Sequence, residues 1–365
     1  MTGRGIDQIL PNPGDPRLFE PCVHSALEYV ALAERASGPI PRPVGFEYVW
    51  GDALEILRRL APHARIINLE TAVTSREDAD PGRGIHYRMH PANVACLTAA
   101  GIDCCVLANN HVLDWGLGGL KETLRVLHAA GVHTAGAGHD ESQAAAPAVM
   151  GVPGGRVLVY GLGFPSSGVP AGWKARRARA GVNWFPGVSG DTVEALGRRV
   201  EVDRRAGDLI VASLHWGGNW GYEVSGAERA FAHALIDRAG VDLVHGHSSH
   251  HPRGIEIHQG KAILYGCGDL LNDYEGIGGY ESYRPQLSWM YFPALDAGGR
   301  LAALELVALR VRRFRLQRAS AEESAWLKAR LDRECARWDV RTVPGRDGAL
   351  ALEWPERSTD RDRPS

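Results

Sequence analysis

Four short stretches of the chain gather amide, carboxylate and imidazole side chains, and each follows a run of apolar residues. Asn68, Leu69 and Glu70 close RIINLE. Asn109, Asn110 and His111 follow DCCVLA, with Asp114 three residues on. His215, Trp216 and Gly217 follow DLIVASL, and the segment HGHSSHH, from His245 to His251, follows a run that begins at Asp242. Open α/β sheets bind ligands outside the carboxyl ends of their strands, so polar groups at successive strand ends mark one edge as a site. A lone histidine there is more often structural than a ligand. One carboxylate, one amide oxygen and several imidazoles form a hard-to-borderline donor set that suits Mn²⁺, Fe²⁺ or Zn²⁺ and does not suit a thiolate zinc site. Two such ions about 3.5–4 Å apart generate a hydroxide and clamp the oxygens of a displacement at phosphorus.

The elements that must carry these groups follow from the residue pattern. Strands are expected over 65–70, 103–108, 132–135, 156–161, 208–214 and 242–245. Helices are expected over 91–101, with Pro91 at its start and Gly101 at its end, and over 119–130 and 191–206. Ser225 with Glu228 reads as a capping box opening a helix to about 239, stopped by Gly240. Segments 255–258 and 262–265 flank Gln259-Gly260-Lys261, a hairpin signal. Strands interleaved with helices predict an α/β fold with a partly parallel sheet. The late hairpin predicts a second sheet with antiparallel pairing. From 301 to 316 the pattern is extended, and Ser320 with Glu323 opens a helix to about 338. The division expected is a main domain over 1–299, a strand-and-helix appendage over 300–355 and a disordered tail over 356–365. Residues 1–50, rich in Pro and Gly, give no clear assignment and read as an irregular wall of the site.

Composition narrows the class. The 365 residues carry a formal net charge of −2, which gives no reason to expect nucleic acid or an anionic membrane as partner. Local basic groups, Arg176, Arg177 and Arg179 and again Arg310, Arg312 and Arg313, read as solvated faces. Six cysteines are scattered without a CxxC, so reduced thiols and a cytoplasmic setting are expected. No apolar stretch is long enough to span a bilayer, and the chain as given opens on no signal peptide.

The ordered motifs NLETAVT, LANNHVLDWG, LHWGGNWGYE, HGHSSHHPRGIE and GKAILYGCGDLLNDY resemble those of the CapA family of poly-γ-glutamate capsule synthesis proteins, over about residues 1–275. That family is similar in fold to calcineurin-like metallophosphoesterases, which implies a four-layer α/β/β/α sandwich. Residue by residue, the resemblance makes Glu70 the bridging carboxylate. It makes Asn110, His215, His247 and His250 the other metal ligands of a site expected to be dinuclear. His111 becomes a general acid or phosphate binder, and Asp114 either its orienting partner or a turn former. His245 and His251 are extra to the pattern, and His245 reads as structural. Asp269 stands where the family commonly has Asn, which weakens any role for it. The family pattern also opens with a strand ending in Gly-Asp, whereas this chain begins Met1-Thr2-Gly3-Arg4-Gly5. Either that strand and its aspartate, and with them any leader or anchor, lie upstream of the given residues, or the ligand has been lost.

The resemblance implies a metal-activated water attacking a phosphoester of a small-molecule or polymer substrate. Two alternatives stand beside it: a non-hydrolytic component of poly-γ-glutamate or capsule assembly, and a binding protein that keeps a degraded metal site. The sequence sets neither the substrate nor the oligomeric state.

Overall fold

The computed structural model describes residues 1–355. The fold is mixed α/β with three larger sheets and no barrel. The first sheet is parallel and three-stranded: β1 (Ile66–Asn68), β2 (Cys104–Val106) at its centre, and β3 (His133–Ala135). The second has six strands: β4 (Ala148–Val152), β5 (Gly155–Gly163), β6 (Leu209–His215), β7 (Leu243–His247), β8 (Ile255–His258) and β9 (Lys261–Leu264), in the order β8-β9-β7-β6-β5-β4. Its inner strands run parallel, and only the edges β8 and β4 are antiparallel to their neighbours. The third sheet is antiparallel: β10 (Leu287–Leu295), β11 (Leu301–Arg312), β12 (Arg315–Arg318), β13 (Arg341–Pro344) and β14 (Leu350–Glu353).

The hairpin expected at 255–265 forms and gives the second sheet one of its antiparallel edges. Its strand β9 pairs parallel with β7, Leu243 opposite Ala262, so the hairpin completes the six-stranded sheet. The separate antiparallel sheet comes from residues 287–353. Its hairpin β10–β11 straddles position 300, with Leu287 opposite Arg310 and Leu295 opposite Leu301. The expected helix over 91–101 divides into a 3₁₀ turn, Pro91–Val94, and a short α-helix, Ala95–Ala99. The N-terminal region is not irregular throughout. Helix α1 (Ala26–Ser37) opens with a capping box in which Glu28 Oε1 accepts from the Ser25 amide at 3.1 Å. The tail 356–365 lies outside the described residues.

The second sheet is buried on both faces, and the period of two decides which residue goes where. Leu158, Tyr160, Leu162, Ile210, Ala212, Leu214 and Val244 pack with Val193, Leu196, Phe231 and Leu235 of helices α2 (Gly190–Asp203) and α3 (Gly226–Ala239). Val157, Val159, Val211 and Leu243 belong instead to the main core shared with β2 and the third sheet. Helix α3 is held at both ends. Its Ser225–Glu228 capping box is formed, and Gly240 takes the left-handed cap with φ +72, a combination that typically contributes about 1 kcal/mol at the N-cap alone.

Two glycines bring the first and second sheets together. A Cβ on Gly136 (φ +83) would sit 2.9 Å from the Gly161 Cα, and one on Gly161 would sit 2.8 Å from the Gly136 Cα. No larger residue fits either position. This close approach sets the carboxyl ends of β1, β2, β6 and β7 around one cleft. Strand β1 hydrogen-bonds on one side only, to β2, and its three residues are half-buried where those of β2 are fully buried.

Candidate metal centre

Glu70 leaves the end of β1 and is buried, 4% exposed. One of its oxygens accepts from Asn68 Nδ2 at 2.9 Å. Asn68 is itself held by Asn109, whose Nδ2 donates to Asn68 Oδ1 at 3.0 Å and to the Leu69 carbonyl at 2.9 Å. The other oxygen of Glu70 faces His215 Nε2 at 3.9 Å. Among the described residues no lysine or arginine pairs with this carboxylate. A buried carboxylate needs a cation or several hydrogen bonds, and Glu70 has one bond from a neutral amide.

Asn110 and His111 follow β2. Asn110 Oδ1 lies 3.0 Å from His215 Nε2, so an amide oxygen, a carboxylate oxygen and an imidazole nitrogen converge. His111 is held from three sides. Its amide donates to Asn109 Oδ1 at 3.1 Å, its Nδ1 is 2.7 Å from Asp114 Oδ2, and the Tyr87 ring packs against it at 4.7 Å. Asp114, wholly buried, also accepts from the Tyr87 amide at 2.8 Å. It therefore both shapes the turn and orients His111, leaving the Nε2 of that ring free. Arg83 closes this side: its guanidinium donates to the Asn110 carbonyl at 2.7 Å and lies 3.6 Å from Asp114 Oδ1.

His215 and His247 end neighbouring strands and pair in register. Their Nδ1 atoms are 2.8 Å apart. His247 Nε2 turns to Ser213 Oγ at 3.0 Å, and Ser213 Oγ is 2.9 Å from His245 Nδ1. Burial drives the pKa of His215 down to about 4, against an opposing pull from Glu70, and drives that of His247 well below its ordinary value. Both rings are neutral near pH 7, the form that binds metals.

The turn after β7 is strained: Ser248, a non-glycine, has φ +104 and is buried, its Oγ donating to the Gly217 carbonyl at 3.2 Å. Such backbone costs about 1–3 kcal/mol and collects at functional sites. Beyond it His250 places Nδ1 3.1 Å from Asp269 Oδ2. Burial alone would lower the pKa of His250, but Asp269, helped by Glu70, outweighs it and the pKa is raised. His251 is fully buried and bonds the Pro252 carbonyl at 3.2 Å, packed on Tyr222 and Tyr283.

The expected ligands are thus gathered at one end of the sheets but not all aimed at one point. Glu70, Asn110 and His215 converge. His247 is joined through the far nitrogen of His215, and His250 through electrostatics with Glu70 while bonded to Asp269. Counting only His, Cys, Asp and Glu, no group of three among the described residues is arranged to hold an ion; the third donor here is the amide oxygen of Asn110. The donor chemistry of Glu70, Asn110 and His215 fits one divalent ion.

Ser213 and Arg83 had not been singled out from sequence, and Asp269 had been named there only with a weakened role. Ser213 lies two residues before His215 and so shares its strand face, a signal the sequence does contain. Arg83 and Asp269 reach the site only through tertiary folding.

This arrangement places donor groups at the ends of parallel strands in a mixed α/β fold. The model of the bacterial capsule synthesis protein family, PGA_cap, matches residues 1–274, and the chain belongs to that family. A probable polyglutamine synthesis accessory protein of Mycobacterium tuberculosis is 47% identical over 356 residues, covering 96% of this chain and 93% of the relative. The capsule biosynthesis protein CapA of Bacillus anthracis is 26% identical over 191 residues, 52% of this chain and 45% of the relative. The PGA biosynthesis protein CapA of Bacillus subtilis is 28% identical over 275 residues, 75% and 61% respectively. Among the described residues no helix is long and apolar enough to cross a membrane.

Proposed function

We propose that this chain is a metal-dependent phosphoester hydrolase serving polyglutamate or capsule synthesis, with its sheets layered as in calcineurin-like metallophosphoesterases. The observation that carries the reading is Glu70: a buried carboxylate with no lysine or arginine partner among the described residues, facing His215 and Asn110. Those three residues would hold an ion, with His247 and His250 completing its surroundings. A bound divalent ion would supply a nucleophilic water and neutralise charge on a phosphoryl group.

The residues themselves do the rest. Asn68 and Asn109 fix Glu70, so the carboxylate does not rotate away. Asp114 pins His111 Nδ1 and leaves Nε2 facing outward. When both nitrogens carry protons, the Asp114 carboxylate stabilises that imidazolium, and Nε2–H gives its proton to the leaving oxygen, leaving the ring neutral. The loop carrying Arg83 holds the Asn110 carbonyl and keeps this side rigid.

A relative's name, polyglutamine synthesis accessory protein, supports an accessory role in polymer synthesis, and the second reading is that this role is non-hydrolytic. The experiment that separates the two is turnover of a phosphoester panel by protein loaded in turn with Mn²⁺, Fe²⁺ and Zn²⁺. Hydrolysis lost in His111→Ala with metal content kept supports the enzyme. No hydrolysis by any loaded form supports the accessory role.

A further inference from the structure

Ser213, His215, His245 and His247 form a continuous hydrogen-bonded chain on one sheet face. The register creates it: Ser213 lies opposite His245 and His215 opposite His247 on adjacent parallel strands. Three contacts link the groups, His245 Nδ1 to Ser213 Oγ at 2.9 Å, Ser213 Oγ to His247 Nε2 at 3.0 Å, and His247 Nδ1 to His215 Nδ1 at 2.8 Å. The chain continues from His215 Nε2 to Asn110 Oδ1 at 3.0 Å. Its far end, His245, is half-buried, and its Nε2 has no hydrogen-bond partner among the described residues.

Each neutral imidazole carries one N–H and one bare nitrogen, and the serine carries one hydroxyl proton. Only two arrangements put one proton in every linking contact and use the Ser213 hydroxyl proton in one of them. In the first, His245 Nδ1–H donates to Ser213, Ser213 donates to His247 Nε2, His247 Nδ1–H donates to His215 Nδ1, and His215 Nε2–H donates to Asn110 Oδ1. In the second every bond reverses, and His215 Nε2 is bare. It then faces the Asn110 oxygen and the Glu70 carboxylate as a third lone-pair donor, which is a cation site.

We propose that Ser213 and His245 are positioning residues that, through His247, select the ligand tautomer of His215, so that capture of a divalent cation reverses the whole chain. The proposal rests on the reading of Glu70, Asn110 and His215 as ligands. The protons balance: one leaves His215 Nε2; His247 Nδ1–H passes to His215 Nδ1; the Ser213 proton passes to His247 Nε2; His245 Nδ1–H passes to Ser213; and His245 Nε2 takes one from water. No ring changes its net charge. A purely structural Ser213 would satisfy His247 without coupling its tautomer to the ion at the end of the order His245, Ser213, His247, His215, ion, whereas outer partners of a ligand typically carry about 10–100-fold in metal affinity.

The test is two-bond ¹H–¹⁵N correlation of ¹⁵N-histidine-labelled protein, metal-free and with Zn²⁺, alongside Zn²⁺ titration calorimetry. The metal-free protein is expected to carry protons on His215 Nε2, His247 Nδ1 and His245 Nδ1; Zn²⁺ moves them to Nδ1, Nε2 and Nε2. Ser213→Ala and, independently, His245→Phe weaken Zn²⁺ binding about 10–100-fold, and Ser213→Thr restores it. Should one variant fail to fold, the other and the wild-type spectra still decide. Unchanged Zn²⁺ affinity in a folded variant, or a His245 tautomer indifferent to Zn²⁺, overturns the relay. A wild type that takes up no Zn²⁺ overturns the ligand reading instead, and the relay is then judged on the metal-free pattern, where protons on both His247 Nε2 and His215 Nε2 would contradict it.

Discussion

The six-stranded sheet carries histidines in two settings. At the carboxyl end, His215 and His247 are buried among neutral partners: each other, Ser213 and Asn110. At the β8 edge, His233 and His258 stack at 3.7 Å, and each has its own carboxylate, Glu256 at 2.9 Å and Asp237 at 2.9 Å. Glu256 is also gripped by Arg229 at 2.7 Å and by the Tyr265 hydroxyl at 2.8 Å. In this second cluster Glu256 has Arg229 as its cation and each histidine has a carboxylate to bond, and the cluster acts as a clamp between helix α3 and the sheet. In the first, Glu70, the carboxylate facing His215, has no lysine or arginine partner among the described residues. Residue types alone do not separate a site from a clamp; the state of charge compensation does.

Variants on the two sides sharpen the contrast. The largest effect is expected at His111: His111→Ala should lower phosphoester turnover about 10²–10⁴-fold with metal content nearly unchanged, whereas His215→Ala should lower both. Equal metal loss in the two variants, measured by elemental analysis, breaks the division of roles. Next comes pH. His215 has a folded pKa of about 4 against an ordinary 6.5. Above 6.5 neither state binds its proton. As pH falls from 6.5 towards 4 the unfolded chain is protonated first, so metal-free protein should lose up to about 3 kcal/mol from this group. Urea midpoints across that range check it, and the loss should shrink in His215→Asn.

Metal addition should raise the stability of the wild type by about 2.7 kcal/mol at a hundredfold excess over Kd, read as a shift in unfolding midpoint, and should do nothing for Glu70→Gln. The smallest effect belongs to the clamp. His258→Gln removes a partly exposed pairing with Asp237 and should cost no more than about 1 kcal/mol, with Zn²⁺ affinity untouched. A change in metal affinity there would erase the distinction between the two clusters.

The sequence made the strand ends legible because RIINLE, DCCVLA and DLIVASL are apolar runs that stop at polar groups. Glu70, Asn110 and His215 were therefore readable as neighbours. Asp269 was not: it reaches His250 across the β8–β9 hairpin, and nothing local marks that contact. Strand β10 was also hidden. Its sequence LSWMYFPAL contains Pro293, which argues against a central strand, and β10 is in fact the edge of its sheet, where proline is tolerated. Helix α1 was masked by the Pro- and Gly-rich composition around it, although Ser25 and Glu28 held its capping signal.

The central claim is that uncompensated Glu70 marks a cation site. Its most direct measurement is divalent-metal stoichiometry and affinity of the purified protein beside Glu70→Gln, a near-isosteric change that removes the charge. The account predicts at least one Mn²⁺, Fe²⁺ or Zn²⁺ bound per wild-type chain and affinity lost in the variant while the fold remains. Equal binding by both proteins would contradict it.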